Sequence, residues 1–247
     1  MSPELPRPSV AAIVPVLDEA QAIGDVVTGV LGHGVTHVIV VAGGSTDATR
    51  DIATRAGAHV ILEQRRGYGR AMMTGISTLP DDIAVVLFFD GDGSDRTECV
   101  PLVLAPILAG TADFAMGSRL QGPRESGSLG AAQIVAGRLA GFLIWVVYGV
   151  RFTDMSPFRA LRREVLEGLN MRESTFGWNL EMQMKIAAAR LDVIEIAVGQ
   201  LRRRGGTSKV SGNLQVTIRA AWIIARTFIR IVRSGRKVHA PSPSQRP

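Results

Sequence analysis

The chain has little of what builds an exported, cross-linked or membrane-spanning protein. Of its 247 residues one is a cysteine, Cys99. That excludes an internal disulfide framework and fits a reducing compartment. Cys99 lies just past a polar loop, where a buried or helix-start thiol is expected rather than a nucleophile. The first nine residues carry prolines and a glutamate, without the cationic and apolar stretches of a secretory leader, so a cytoplasmic protein is expected. No apolar run reaches the roughly eighteen residues of a spanning helix. The nearest, residues 139–150, is preceded by Arg138 and suits a buried or interfacial helix.

Acidic residues are missing from one stretch altogether. Residues 196–247 hold eleven of the 28 basic residues and none of the 22 acidic ones. The rest of the chain is therefore net acidic, and the C-terminal segment is built to meet an anion. A phosphate, a nucleic acid or a membrane surface would each meet that charge; of the three, no nucleic-acid partner is expected. The remaining composition, 46% hydrophobic and 20% charged, is that of a globular protein with one large core.

What is present alternates. Apolar, β-branched runs at residues 10–16, 37–41, 58–62 and 83–89 are separated by helical patterns at 21–33, 46–57 and 69–78. Repeated β-α-β units with continuous apolar strands predict an α/β fold, a mostly parallel sheet with helices on both faces. Ligands bind such sheets beyond the carboxyl ends of the strands. Further on, a strand at 113–116 leads into a Gly/Pro/Ser-rich loop, 121–130, and a long apolar helix to about 147. A helix at 178–190, a strand at 192–198 and a final helix at 212–232 follow.

The chemistry-bearing loops sit where that architecture needs them. Asp90-Gly91-Asp92 follows an apolar strand, and paired carboxylates suit Mg²⁺ or Mn²⁺, hard cations that bridge diphosphates to protein. Gly43-Gly44-Ser45-Thr46-Asp47 joins a strand to a helix whose start favours phosphate, with Ser45 or Thr46 as an alternative plain N-cap. Arg65 to Arg70 forms a basic, glycine-bearing helix entry. Gly117-Ser118-Arg119 and the Arg202-Arg203-Arg204 run before Ser208 and Lys209 add guanidinium forks for phosphate oxygens. No Gly-X-Gly-X-X-Gly follows the first strand, which counts against a nicotinamide enzyme.

In this order and spacing the motifs resemble family-2 glycosyltransferases. Ile13-Val14-Pro15 with Asp18-Glu19, Gly44 to Asp47, Gly67 to Gly75 and Asp90-Gly91-Asp92 carry the likeness. Gly117 to Arg119, Asp154 with Pro157-Phe158-Arg159, and Arg203 through Ser208-Lys209 complete it, over roughly residues 10–210. The branch they look most like is the polyprenyl-phosphate sugar transferases, similar to dolichyl-phosphate mannose synthase. The resemblance implies a GT-A fold and an inverting, metal-dependent transfer from a UDP- or GDP-sugar to a polyprenyl phosphate or similar membrane-associated acceptor. It implies Asp90 and Asp92 at the metal, and Pro15, Asp18, Glu19, Gly44, Asp47, Gly67, Arg70, Asp90 and Gly91 around the nucleotide-sugar. Arg119, Arg138, Arg203, Ser208 and Lys209 are the expected phosphate and acceptor contacts. Where the family usually has an acidic pair before Gly-Ser-Thr-Asp, this chain has Ala42-Gly43, which leaves the choice of base open. A domain without turnover that only binds nucleotide-sugar or a partner is the alternative, and retention of both aspartates opposes it.

If the acceptor is a hydroxyl, a carboxylate must take its proton, and Glu181 and Asp154 are the candidates; Glu181 can instead simply pair with Lys185 one turn on. The domain is expected to run over 1–235, with a nucleotide-sugar half (9–120), an acceptor half (121–210) and a basic helix (211–235), then a disordered tail (236–247). In that helix Arg219, Arg226, Arg230 and Arg233 share one side, with Trp222 and Phe228 expected on other faces. Such a helix suits peripheral binding to the inner face of a membrane, or packing on the sheet or a second copy of the chain. Arg203 is expected on a loop that closes over phosphate, as an exposed charge that contributes little to folding.

Overall fold

The structure, a computed structural model, describes residues 8–205 and 214–234. Seven strands form one sheet: β1 (Ser9–Val16), β2 (His37–Ala42), β3 (His59–Leu62), β4 (Ile83–Phe88), β5 (Phe114–Ser118), β6 (Arg159–Arg162) and β7 (Val193–Ala197), in the order β3-β2-β1-β4-β6-β5-β7. β1 pairs in parallel with β2 and β4, β2 with β3, and β5 with β7. β6 alone runs antiparallel, between β4 and β5. β6 is not foreseen from periodicity, because its four residues begin and end on arginine and are too few for a period to show. The consequence for function is direct: six strands end at one edge of the sheet, and β6 begins there.

Alternation along each strand splits the core in two. Val10, Ala12, Val14 and Val16 of β1 face α1 (Ile23–Gly32), α2 (Thr49–Arg55) and α4 (Val100–Leu108). Ala11 and Ile13 face α3 (Tyr68–Ile76), α5 (Ala131–Tyr148), α6 (Arg163–Leu169) and α7 (Trp178–Ala188). α1 shows the cause, with Ile23, Val26, Val27 and Val30 buried at helical spacing. Each such side chain removed from water contributes roughly 1.5–3 kcal/mol. Cys99 caps α4, as a helix-start thiol. α2 begins at Thr49, later than expected, and Ala48 rather than Ser45 or Thr46 precedes it.

Two helices lie on the periphery. α5 is eighteen residues long with a mean hydropathy of 1.6, and only 22% of it is buried. By length and composition it could cross a membrane, which corrects the expectation of a shorter apolar segment; Arg138 interrupts the run in the sequence but not the helix. Its Gly137, Ala140, Gly141 and Ile144 pack inward, while Val135, Leu139, Phe142 and Val146 form an exposed stripe three or four residues apart. α8 (Leu214–Ser234) packs on α7 through Ile224, Thr227, Phe228 and Ile231. Its other side exposes Trp222, Ile229 and Val232, and the Arg226 guanidinium lies over the Trp222 ring, 5.4 Å from its centroid. Trp222 therefore shares the arginine side, contrary to expectation, and Phe228 serves the core. The tail at 236–247 lies outside the described residues.

Candidate active site

The turn after β4 carries the acidic cluster. A Cβ on Gly91 would meet Val16 Cγ1 at 2.4 Å, so only glycine lets the chain turn this close to β1. The turn is braced from within: Asp90 N–H donates to Asp95 Oδ2 at 3.2 Å, and Ser94 N–H to Asp92 Oδ1 at 2.9 Å. Burial, then Asp95 and Asp92, push the Asp90 carboxyl well above the usual carboxylate range. Burial and Asp92 lift Asp95 to about 7. Asp95 Oδ1 is buried without a hydrogen-bond partner. Crowded in this way, the carboxyl groups favour a bound proton or a nearby cation.

Among the described residues, no group of three or more His, Cys, Asp or Glu side chains forms a metal cage. Two carboxylates on a turn fit instead a cation that takes its other ligands from water and substrate phosphates. Asp95 and Ser94 are parts of this turn that sequence reasoning missed. The signal was present as a third acid five residues after Asp90, but spacing alone does not say which acid turns inward.

Around the turn, the loops after β1 and β2 knit together. Asp18, with φ at 56°, accepts from Thr46 N–H at 2.8 Å, and its own N–H donates to Ser45 Oγ at 3.1 Å. Glu19 N–H donates to Thr49 Oγ1 at 2.8 Å and Ala20 N–H to Asp47 Oδ2 at 3.2 Å. Pro15 pairs with Val41 one residue before the end of β1, and Gly44 takes φ of 83° in the exposed part of the loop. Asp18, Glu19, Gly44 and Asp47 thus share one rim beside Asp90 and Asp92, although Ser45, Asp47 and Thr49 serve the loop itself. Gly67 and Gly69 have another duty. A Cβ on Gly69 would lie 2.0 Å from Glu173 O, and Arg70 N–H donates to Ser174 O at 3.1 Å, so the entry to α3 is packed on the 173–175 backbone.

Both carboxylates expected as bases have partners in the structure. Glu181 is buried; its Oε2 accepts from Arg172 and Glu173 N–H at 3.0 and 2.6 Å, and its Oε1 pairs with Lys185 at 3.0 Å. It holds the loop before α7. Asp154 is 2% exposed and takes a fork from Arg119, at 2.7 Å from Nε and 2.8 Å from Nη2, together with Arg119 N–H at 3.0 Å. Burial alone would raise the Asp154 carboxyl, but the Arg119 bonds outweigh it and hold the group below its ordinary value. A carboxylate so stabilised is a poor proton acceptor. Behind them Arg159 is fully buried, bonded to Ser156 O and to Asn179 O at 3.1 Å, and burial lowers it to about 10.

Arg138 stands on α5 at a pocket of about 520 Å³ with Leu120, Gln121, Gly141, Phe142, Trp145, Arg151, Phe152 and Thr153. Arg151 lies over the Trp145 ring, 4.7 Å from its centroid. The pocket adjoins the Arg119–Asp154 pair through Leu120 and Thr153. Arg203 sits over the acidic turn, bonded to Glu19 and 3.5 Å from Asp92. It is largely enclosed, not the exposed charge expected. Ser208 and Lys209 lie outside the described residues.

The family model for glycosyl transferase family 2 matches residues 11–169. Glycosyltransferase AglJ of Haloferax volcanii is 32% identical over 187 residues, 74% of this chain and 60% of its own length. The dolichyl-phosphate hexose transferase of the same organism is 32% identical over 201 residues, 80% of this chain and 85% of its own. Glucosyl-3-phosphoglycerate synthase from Mycobacterium tuberculosis, solved with Mn²⁺, UDP-glucose and phosphoglyceric acid, is only 18% identical. It superposes with a TM-score of 0.72 over 95% of this chain and 81% of that one, which shows the shared GT-A architecture. With the sheet, the acidic turn and these relatives in agreement, the chain belongs to glycosyl transferase family 2 and is a glycosyltransferase allied to the dolichyl-phosphate sugar transferase branch.

Proposed function

We propose that the protein transfers a sugar from a UDP- or GDP-sugar, with inversion, to a polyprenyl phosphate at the cytoplasmic face of a membrane. The observation that carries the acceptor is the pocket holding Arg138 and Arg151 among Phe142, Trp145 and Phe152, beside the exposed stripe of α5. Two guanidinium groups in an aromatic wall suit a ligand that is phosphate at one end and hydrocarbon at the other. A phosphate oxygen is already anionic at neutral pH and needs no general base. That agrees with a site in which Asp154 and Glu181 are both engaged. Arg119, fixed by Asp154, faces the same region and supplies positive charge to the phosphate.

On the donor side, Asp90 and Asp92 would hold Mg²⁺ or Mn²⁺, which supplies charge neutralisation to the departing diphosphate. The loop of Asp18, Glu19, Gly44 and Asp47 would border the nucleotide. The relatives' printed activities support this reading: one is a dolichyl-phosphate hexose transferase and another a UDP-N-acetylglucosamine–dolichyl-phosphate transferase. The test is a donor screen with radiolabelled UDP- and GDP-sugars, Mn²⁺ or Mg²⁺, and polyprenyl phosphate or unphosphorylated polyprenol. Label should enter the organic phase with the phosphate alone. Equal transfer to the alcohol would overturn the acceptor assignment.

Peripheral membrane attachment follows from α5 and α8. Their exposed faces carry Val135, Leu139, Val146, Trp222 and Ile229, and each basic residue near an anionic surface adds roughly 1 kcal/mol. The protein should float with anionic liposomes at low salt, and Leu139→Glu with Val146→Glu should leave it in the aqueous fraction with an unchanged melting temperature. A wild-type protein that does not float ends this part of the proposal.

A further inference from the structure

The segment after β7 is a strap across the open edge of the sheet. Leu201 N–H donates to Ser94 O at 2.9 Å and Arg204 N–H to Asp92 O at 3.1 Å, while Gln200 Nε2 reaches Ser94 Oγ at 3.2 Å. Its far margin is zipped to the loop after β5. Gln200 N–H donates to Pro123 O at 3.1 Å, Glu125 N–H to Gln200 O at 2.9 Å, and Arg202 N–H to the Glu125 carboxylate at 2.6 Å. The backbone at Arg203 is thus fixed from both sides, and its guanidinium is delivered to one place.

That place is between two carboxylates. Arg203 bonds Glu19, which is 5% exposed, and its Nε stands 3.5 Å from Asp92 Oδ2. Glu19 belongs to the loop after β1 and Asp92 to the acidic turn, so one cation neutralises both walls of the site. A divalent metal at Asp92 and a guanidinium at 3.5 Å from the same carboxylate repel each other in a site sheltered from water.

We propose that Arg203 is a built-in stand-in for the metal: in the donor-free protein it neutralises Asp92 and Glu19 and keeps divalent cations out. The donor diphosphate then gives the guanidinium a new partner and frees Asp92 for the cation. Metal and nucleotide diphosphate therefore enter as one unit. This rests on the reading that Asp90 and Asp92 hold the metal. It makes a signature that a plain phosphate-binding arginine lacks: removing Arg203 helps metal binding without nucleotide and hurts it with nucleotide.

The measurement is Mn²⁺ affinity, by electron paramagnetic resonance of the free ion, on the whole chain with no nucleotide, with UDP and with GDP. Arg203→Gln should bind Mn²⁺ alone at least about tenfold more tightly than wild type, as loss of a neighbouring like charge requires. With the nucleotide that wild type prefers, the same variant should bind Mn²⁺ at least about tenfold more weakly. Arg203→Lys, which keeps the charge but not the fork, should fall between, and it decides the matter if the glutamine variant does not fold. Equal binding of Mn²⁺ alone by wild type and both Arg203 variants overturns the inference and leaves the metal-dependent reading standing. No Mn²⁺ binding by any protein, even with nucleotide, overturns both.

Discussion

Asp92→Ala should lower turnover at least about a hundredfold, some 2.7 kcal/mol of charge stabilisation, while leaving the melting temperature unchanged or raised. The two halves have one cause. On the proposed reading Asp92 would be a ligand of the cation at the strand end where the diphosphate would depart, so its loss would remove the neutralisation of that charge. In the donor-free protein the same carboxylate helps to push Asp90 upward and Asp95 to about 7, which offsets what its bond from Ser94 N–H and its closeness to Arg203 contribute. Raised carboxyl groups bind protons more tightly folded than unfolded, so they detract from stability above their ordinary range, and removing a like charge relieves this. Calorimetry and donor turnover on one preparation check both signs. Full turnover of Asp92→Ala in EDTA would show that no metal works at this turn.

Asp154→Ala should destabilise the fold by about 3–5 kcal/mol, a fall in melting temperature on the order of 10 °C. The Arg119 side chain is 12% exposed and its fork is filled by Asp154, so truncation leaves a sheltered guanidinium without its anion. Replacing both partners, as in Arg119→Met with Asp154→Ala, should recover part of that loss, because a buried pair replaced by apolar groups is far less costly than one broken. The double variant should remain inactive. A single Asp154→Ala protein that melts like wild type yet fails in catalysis would return Asp154 to the role of proton acceptor.

The chemistry of the site was largely visible as text. Asp90 and Asp92, Asp18 and Glu19, and the Gly-Ser-Thr-Asp loop are local signals, each a few residues long beside an apolar run that marks a strand end. A parallel sheet brings its strand ends to one edge, so recognising the strands was enough to gather those loops. The arginines are legible as charged groups, but charge type does not specify a partner. That Arg119 is committed to Asp154, or Glu181 to the amides of Arg172 and Glu173, depends on segments 35 and 8–9 residues apart meeting in space.

The sequence by itself determined the alternating α/β pattern, the acidic turn, the single basic stretch and the kinship that these motifs express. Periodicity and turn chemistry are properties of neighbouring residues, and they survive without coordinates. Only the tertiary structure decided that β6 runs antiparallel and that the strap after β7 lays Arg203 between Glu19 and Asp92. It also decided that α5 keeps a row of apolar side chains in the open. These are long-range pairings, set by which surfaces remain free after the sheet has closed its core, and no window of adjacent residues contains that information.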